Sequence, residues 1–577
     1  MNKSAVALPR PQEREFLPEE FKLTVWSRLK PYYQDLLKRK IDCLEDLERW
    51  IADRSELESV VSECFAWRYI KITINSSDEQ AMDLYEYAVQ ELMPKIVSFE
   101  NSLNEKLVSS PFVDQLEGNA YEIFLRLSRN AVSLFHKENI PLATEVQLRS
   151  KEHGKIFSEM TIGMDGKQLT LQKAGTILEE TDRGLRETVY HKINKRILQD
   201  TPQLESLFDT LLEKRHEIAL NAGFHNFRDY KFKALNRFDY STDDCVDFHR
   251  SIAQEILPII DELNVYRKKK MSLPLLRPWD LNVDATGKAP LKPFNNVGEL
   301  VEKTIRCLDQ IHPAFGNVIA IMREMGHLDL ESRKGKRPGG YNIQLSSTGV
   351  PFIFMNATHS LNDMRTFLHE SGHAIHSFLT RDLPLNTSRR FPSEVSELAA
   401  MSMELLSMDH WSIFFDNKED LKRAKISQLE NVLKVLPWIA AIDKFQHWLY
   451  TNPNHNRKER QEQWLATYRE FTSSEVDNSE LEIYAKYLWH KQLHIFEVPF
   501  YYIEYGMAQL GAIAIWKNYR ENPTKAIADY KAALELGYTK PIGEIYERAG
   551  ISFDFSQSYV AELGKFVQSE LEVLIAS

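Results

Sequence analysis

Cysteine is scarce: Cys43, Cys64, Cys245 and Cys307 are the whole complement of a 577-residue chain, and no two form a CxxC pair. That excludes a disulfide-stapled secreted scaffold and points to a reducing compartment, with the four as ordinary buried or half-buried thiols. Long apolar runs are missing as well. None reaches the roughly 18 residues of a membrane span, and the opening MNKSAVALPRPQEREF has no apolar core of signal-peptide length. A soluble, cytoplasmic protein is expected. Blocks of one charge are also absent; the net charge of -11 is spread through mixed sequence, which argues against nucleic acid or a membrane surface as the main partner. Composition leaves the oligomeric state open.

What is present is helical pattern. At 43% apolar residues the chain can bury a large core, and it is too long for one compact unit. From Leu17 to Leu107, Trp26, Leu29, Tyr33, Leu36 and Leu37 form one stripe that Leu44, Leu47 and Trp50 continue after Lys40. Ser55 reads as the start of another run through Val60, Cys64 and Trp67, and Asp78 to Phe99 as a third. Around 155–171 the character changes, and Asp165-Gly166 between short apolar runs predicts a β-hairpin. Helices are expected again from Thr181, over Asp243 to Lys269 and over Val297 to Glu324, with an irregular Pro-rich connection between the last two. Tyr341 to Leu345 and Pro351 to Asn356 read as two short strands around a turn. The expected division is an N-terminal helical region, 1–200, and a catalytic region, 201–577.

The second strand leads into Asp363-Met-Arg-Thr-Phe-Leu-His369-Glu370-Ser-Gly-His373-Ala-Ile-His376. Ser360 and Asp363 are spaced as a capping box for a helix start. Met364, Phe367, Leu368, Ile375 and Phe378 recur at three- and four-residue steps and line a buried face. His369 and His373 lie one turn apart on the other face, where two imidazoles can hold one ion. Neutral imidazole is a good zinc ligand, and Glu370, beside the first histidine, reaches a water on the metal rather than the metal itself. Zinc acidifies such a water and a nearby carboxylate takes its proton, so hydrolysis of an amide is the natural use. With 17 histidines in the chain, about 0.04 accidental matches to this pattern are expected.

A third protein ligand is needed. A second helix starts near Ser393 and carries Glu394, Glu397 and Glu404. Glu397 is 24 residues beyond His373, enough chain for one helix to finish and another to return. On spacing alone Glu394 or Glu404 could take its place, and Glu404 also suits a partner for a histidine ring N–H.

His369-Glu-Ser-Gly-His373 followed by Phe391-Pro-Ser-Glu-Val-Ser-Glu397-Leu-Ala-Ala-Met-Ser-Met-Glu404 resembles the oligoendopeptidase F branch of the thimet-oligopeptidase family of zinc metallopeptidases. The resemblance extends from about residue 200 to 540, including the Leu276-Arg-Pro-Trp-Asp280 stretch, and reaches His494-Ile-Phe-Glu-Val-Pro-Phe-Tyr501-Tyr502-Ile-Glu-Tyr505-Gly506. It implies a mostly α fold of two helical lobes around a deep substrate channel, with a small β-sheet next to the His-Glu helix in a zincin-like core. It also implies Glu397 as third ligand to one Zn²⁺ per chain, with Glu404 in support and Glu370 as general base; His376 reads as a supporting residue or simple structure and not as an extra ligand. Tyr502 or Tyr505, assisted by His494, would stabilise the oxyanion. The Gly340-Tyr341 region resembles a strand beside the catalytic helix. Its edge, and the basic pair Arg389 and Arg390, are candidates for holding substrate.

The reading is a zinc endopeptidase of short peptides. A zinc carboxypeptidase is the nearest alternative, since Arg389, Arg390 and Arg337 offer cations for a terminal carboxylate. A non-catalytic helical peptide-binding scaffold is the alternative of a different class, and it has no need for Glu370.

Overall fold

The computed structural model describes residues 8–577; the first part of the N-terminal stretch read for a targeting signal lies outside them. Helices make up most of the chain, with one two-stranded and one three-stranded sheet among the described residues. No helix among those residues is long and apolar enough to cross a membrane. The chain forms two compact units, each assembled from three separate stretches: 1–140, 292–421 and 511–553 in the first, 141–291, 422–510 and 554–577 in the second. The units therefore do not follow the division of the sequence into 1–200 and 201–577. In chain order, the elements that carry the sites are β1 (Thr161–Met164), β2 (Lys167–Thr170), α1 (Thr242–Ser251), β3 (Leu328–Glu331), β4 (Tyr341–Ile343), β5 (Phe352–Ala357), α2 (Leu361–Leu379), α3 (Ser393–Leu406) and α4 (Lys418–Thr451).

In the first unit the N-terminal stripes become helices Trp26–Lys38, Leu44–Ile74, Glu79–Tyr87 and Met93–Val108, which bury Leu29, Tyr33, Leu36, Leu47 and Trp50. Ser55 does not start a helix. It sits inside the continuous helix Leu44–Ile74, and its hydroxyl accepts a hydrogen bond from the Asn386 backbone N–H at 2.6 Å instead of capping a helix end. The expected helix Val297 to Glu324 is broken in two at Pro313, which lacks an N–H and disfavours helical backbone at His312. It is followed by a strand that the sequence reading missed, β3, which enters after the left-handed Gly326. The sheet order is β3-β5-β4, parallel for the first pair and antiparallel for the second. Tyr341 opposes Phe354, their rings stacking at 4.8 Å, and Phe352 and Phe354 bury against Ala66 and Ile70. Central strand β5 thus delivers the chain to the start of α2 over a fixed apolar floor.

In the second unit the hairpin forms as β1 and β2, with Asp165 and Gly166 both at positive φ in the turn, the conformation that the Asp-Gly pair favours. It is shorter than the pattern suggested, because Ile156 and Phe157 belong to the preceding helix. The Leu276-Arg-Pro-Trp-Asp280 stretch is less irregular than expected. Pro278–Asp280 is a single helical turn, and buried Asp280 accepts from Arg186 at 2.9 Å and from Arg183 at 2.9 Å.

Candidate active site

Helix α2 begins as its sequence dictates. Ser360 Oγ accepts from the Asp363 N–H at 3.1 Å and Asp363 Oδ2 accepts from the Ser360 N–H at 2.9 Å, satisfying two otherwise orphaned donors. Met364, Phe367, Leu368 and Ile375 are buried along one side, while the side chains of His369 and His373 keep 18% and 14% exposure on the other. Between the two histidines, Gly372 is the contact point with α3. A Cβ there would lie 2.6 Å from the Ala399 carbonyl oxygen and 2.6 Å from Ala400 Cα, so only glycine lets the two backbones approach this closely.

That approach sets the carboxylates. Glu397 Oε2 lies 3.4 Å from His369 Nε2 and 3.7 Å from His373 Nε2. The three ligand atoms fall within 4.8 Å of one another. Tetrahedral zinc with bonds near 2.0–2.1 Å places its ligand atoms about 3.4 Å apart, so these residues fit a zinc ion. Each histidine is also held from behind: His369 Nδ1 pairs with Glu404 Oε1 at 2.8 Å and His373 Nδ1 with Ser396 Oγ at 3.1 Å, which turns both Nε2 atoms toward Glu397. Of the three acids on α3 that spacing could not separate, Glu397 joins the histidine pair, Glu404 backs His369, and Glu394 is buried outside the three-residue group.

Electrostatics divide the labour further. Burial holds His373 down to about 4, the neutral state that a ligand requires. At His369 burial opposes the charge, but hydrogen bonds to Glu397 and Glu404 outweigh it and raise the pKa above the usual histidine value. A proton and a cation therefore compete for that ring. Glu370 is buried on the same helix, and desolvation pushes its carboxyl up to about 7 against the pull of His369. Its Oε2 has no hydrogen-bond partner among the described residues. A buried carboxylate oxygen left open beside three residues that could hold a metal ion is an arrangement able to accept a proton from water.

His376, on the next turn, is fully buried and stacks on Phe391 with ring centroids 3.5 Å apart; neither ring nitrogen has a partner among the described residues, so it packs and does not bond to the ligands. Strand β4 lies alongside, where Asn342 Nδ2 donates to the Glu370 carbonyl at 3.3 Å. Gly340 precedes it at close range to the Phe354 carbonyl, and the Tyr341 hydroxyl pairs with Thr73 Oγ1 at 2.6 Å. The expected basic pair separates. Arg390 is exposed, but Arg389 is buried and donates to the Ser346 carbonyl and Ser59 Oγ, both at 3.1 Å, which makes it a brace and not a cation open to substrate.

In the second unit His494, Tyr501, Tyr502 and Tyr505 form an aromatic cluster: the His494 ring centroid is 4.8 Å from that of Tyr502 and 5.7 Å from that of Tyr505. Trp438 Nε1 donates to Gln492 Oε1 at 2.9 Å, and Gln492 Nε2 contacts His494 Nδ1 at 2.6 Å. An amide N–H donating to Nδ1 leaves the imidazole proton on Nε2. Burial raises Tyr502 to about 12, which keeps it a phenol and a donor.

Residues 176–565 match the pattern of Peptidase family M3, and residues 16–135 match the Peptidase M3 N-terminal domain. The chain belongs to peptidase family M3. Among relatives, the oligoendopeptidase F homolog of Borreliella burgdorferi is 21% identical over 520 residues, covering 88% of this chain and 85% of that protein. Oligopeptidase PepF of Bacillus subtilis is 20% identical over 515 residues, 86% and 75% of the two chains. A solved structure of PZ peptidase A with an inhibitor superposes with a TM-score of 0.90 at 26% identity, covering 97% of this chain and 99% of the other. This M3 peptidase is thus of the oligoendopeptidase F branch and is a zinc-dependent endopeptidase acting on oligopeptides.

Three groups at the M3 peptidase's sites escaped sequence reasoning. Ser396 stands next to Glu397 in what the sequence shows only as helix, although a hydroxyl one position before a candidate ligand is a usable signal for a supporting bond. Gly372 sits inside the histidine spacing, and a glycine in mid-helix is itself a sign of close backbone approach. Gln492 lies two residues before His494, so its contact is local, whereas Trp438 carries no local signal, since it reaches Gln492 from 54 residues away.

Proposed function

We propose that one catalytic zinc ion per chain is held by His369, His373 and Glu397, and that Glu370 is the general base for cleavage of internal bonds in short peptides. The observation that carries this is the convergence of three ligand atoms within 4.8 Å beside a buried Glu370 oxygen with no partner among the described residues. Zinc bound there acidifies a water and draws electron density from the scissile carbonyl. Glu370 receives the proton of the attacking water and later delivers it to the leaving amine nitrogen, a double task suited to a carboxyl that burial holds near neutrality. Glu404 and Ser396 fix the ring orientations of the two histidines. His376 supports them by packing alone.

Tyr505 or Tyr502, with His494, is assigned to donate to the oxygen on which negative charge develops. The Gln492 contact supports this by keeping the His494 proton on Nε2, where it can be donated. For β4, an edge strand of its sheet, we propose backbone pairing with an extended peptide next to Gly340 and Tyr341. Arg390 is left as the cation for a substrate carboxylate. The carboxypeptidase alternative loses Arg389 from its clamp, because that guanidinium is buried and already bonded. The cytoplasm is the proposed compartment, and neither nucleic acid nor membrane is a proposed partner.

Mass spectrometry of digests of a peptide-length ladder, with zinc and with a chelator, tests this reading. Peptides blocked at both ends should be cut internally, only with metal, and with rates that fall as length grows. Release of single C-terminal residues from unblocked peptides, with blocked ones untouched, would replace the endopeptidase by the carboxypeptidase.

A further inference from the structure

Helix α1 carries Cys245 and His249 one turn apart, and α4 carries Asp443 and His447 one turn apart. The two pairs meet in the interior of the second unit. His249 Nε2 is 2.8 Å from Asp443 Oδ2, and His447 Nε2 is 3.2 Å from the same oxygen. Cys245 Sγ, an Asp443 oxygen and a His447 nitrogen all lie within 4.8 Å of one another, and all four side chains are buried.

We infer that Cys245, Asp443 and His447, with His249 beside them, form a second metal-ion site, for a divalent cation of the zinc class, separate from the His369, His373 and Glu397 site. A hydrogen-bond network alone leaves this cluster incomplete. Asp443 is fully buried, yet its Oδ1 has no partner among the described residues, and the approach of His447 Nε2 lacks the direction of a hydrogen bond. Buried polar atoms are rarely left this way. A cation supplies the missing partner. Cys245 Sγ donates to the Ser241 carbonyl at 3.4 Å; on ligation it gives its proton to solvent and gives up that bond. One thiolate and one carboxylate then neutralise a divalent charge, so the loaded site buries no net charge. Thiolate and imidazole together select zinc-class ions over calcium or magnesium.

There is also a way in. A cavity of about 330 Å³ is lined by His249 and His447 with Arg250, Lys444 and Glu470. Its two cations are already engaged, Arg250 with Asp247 at 2.9 Å and Lys444 with Glu470 at 2.6 Å, so they do not bar a metal ion. Glu470, the carboxylate that lines this cavity, is paired through both oxygens with Lys444, unlike Glu370 with its unpartnered oxygen beside the other cluster, which assigns the ion the task of fastening α1 to α4 and not catalysis.

The test uses the full chain with H369Q and H373Q, which leaves α1 and α4 untouched. After chelator treatment and dialysis against micromolar cobalt(II), one cobalt per chain is expected, with a thiolate-to-metal charge-transfer band in the near ultraviolet and a raised Tm. The catalytic site holds no thiolate and cannot give that band. Adding C245S should remove the band, and adding H447Q should weaken binding by about tenfold or more. Absence of retained cobalt, or retained cobalt without the band, overturns the assignment. If C245S or H447Q does not fold, the H369Q/H373Q measurement decides by itself.

Discussion

The two histidine and carboxylate clusters, one in each unit, differ in what surrounds the ligands. Both are made from residues one turn apart on one helix together with a group from a second helix. At α2 and α3 the histidines keep partial exposure, and Glu370 stands by with an oxygen bonded to nothing among the described residues. At α1 and α4 every member is buried, and Cys245 and Asp443 are both among the groups proposed to hold an ion. Convergent ligands are enough to bind a metal. Hydrolysis needs in addition a base that does not ligate and a face that a substrate can reach.

Glu370 is the residue that most separates the two clusters. E370Q should turn the first cluster into a metal holder, with a loss of about 10³- to 10⁴-fold in peptide hydrolysis in steady-state assays. Next, if turnover also depends on donors that do not ligate, Y502F or Y505F should lower kcat by about 10²- to 10³-fold with metal content unchanged. Equal rates for both variants and wild type would remove the tyrosines from the mechanism.

Smaller effects sharpen the account of how the ligands are held. E404Q should weaken metal binding by about 10- to 100-fold in competition with a chromophoric chelator, because His369 loses the partner that orients it. G372A places a methyl against the α3 backbone and should cost about 1–3 kcal/mol in denaturant unfolding.

What could be read from the sequence follows how local each feature is. The capping box and the pair His369 and His373 lie within one helix, where spacing alone decides which side chains share a face; the capping box forms as expected, and the two rings come together beside Glu397. The hairpin turn at Asp165-Gly166 is local in the same way. Choosing Glu397 from three acids was a different matter, because it depends on how α3 crosses α2 at Gly372, a contact that no periodicity reports. Ser55 misled for the converse reason: serine is common at helix starts, yet here a loop more than 300 residues away satisfies its hydroxyl. The cluster at α1 and α4 was hidden more completely. Each of its pairs reads as an ordinary helical face, and they are 194 residues apart.

Metal content and hydrolysis, measured side by side on E370Q and E397A after the same dialysis, test the central claim most directly. The H369Q/H373Q experiment gives the background from the second cluster, so that the change at the first can be isolated. E370Q should hold as much zinc as wild type while hydrolysis collapses, and E397A should lose the catalytic zinc. Full zinc in E397A, or undiminished hydrolysis by E370Q, would contradict the division between residues that hold the ion and the one that moves the proton.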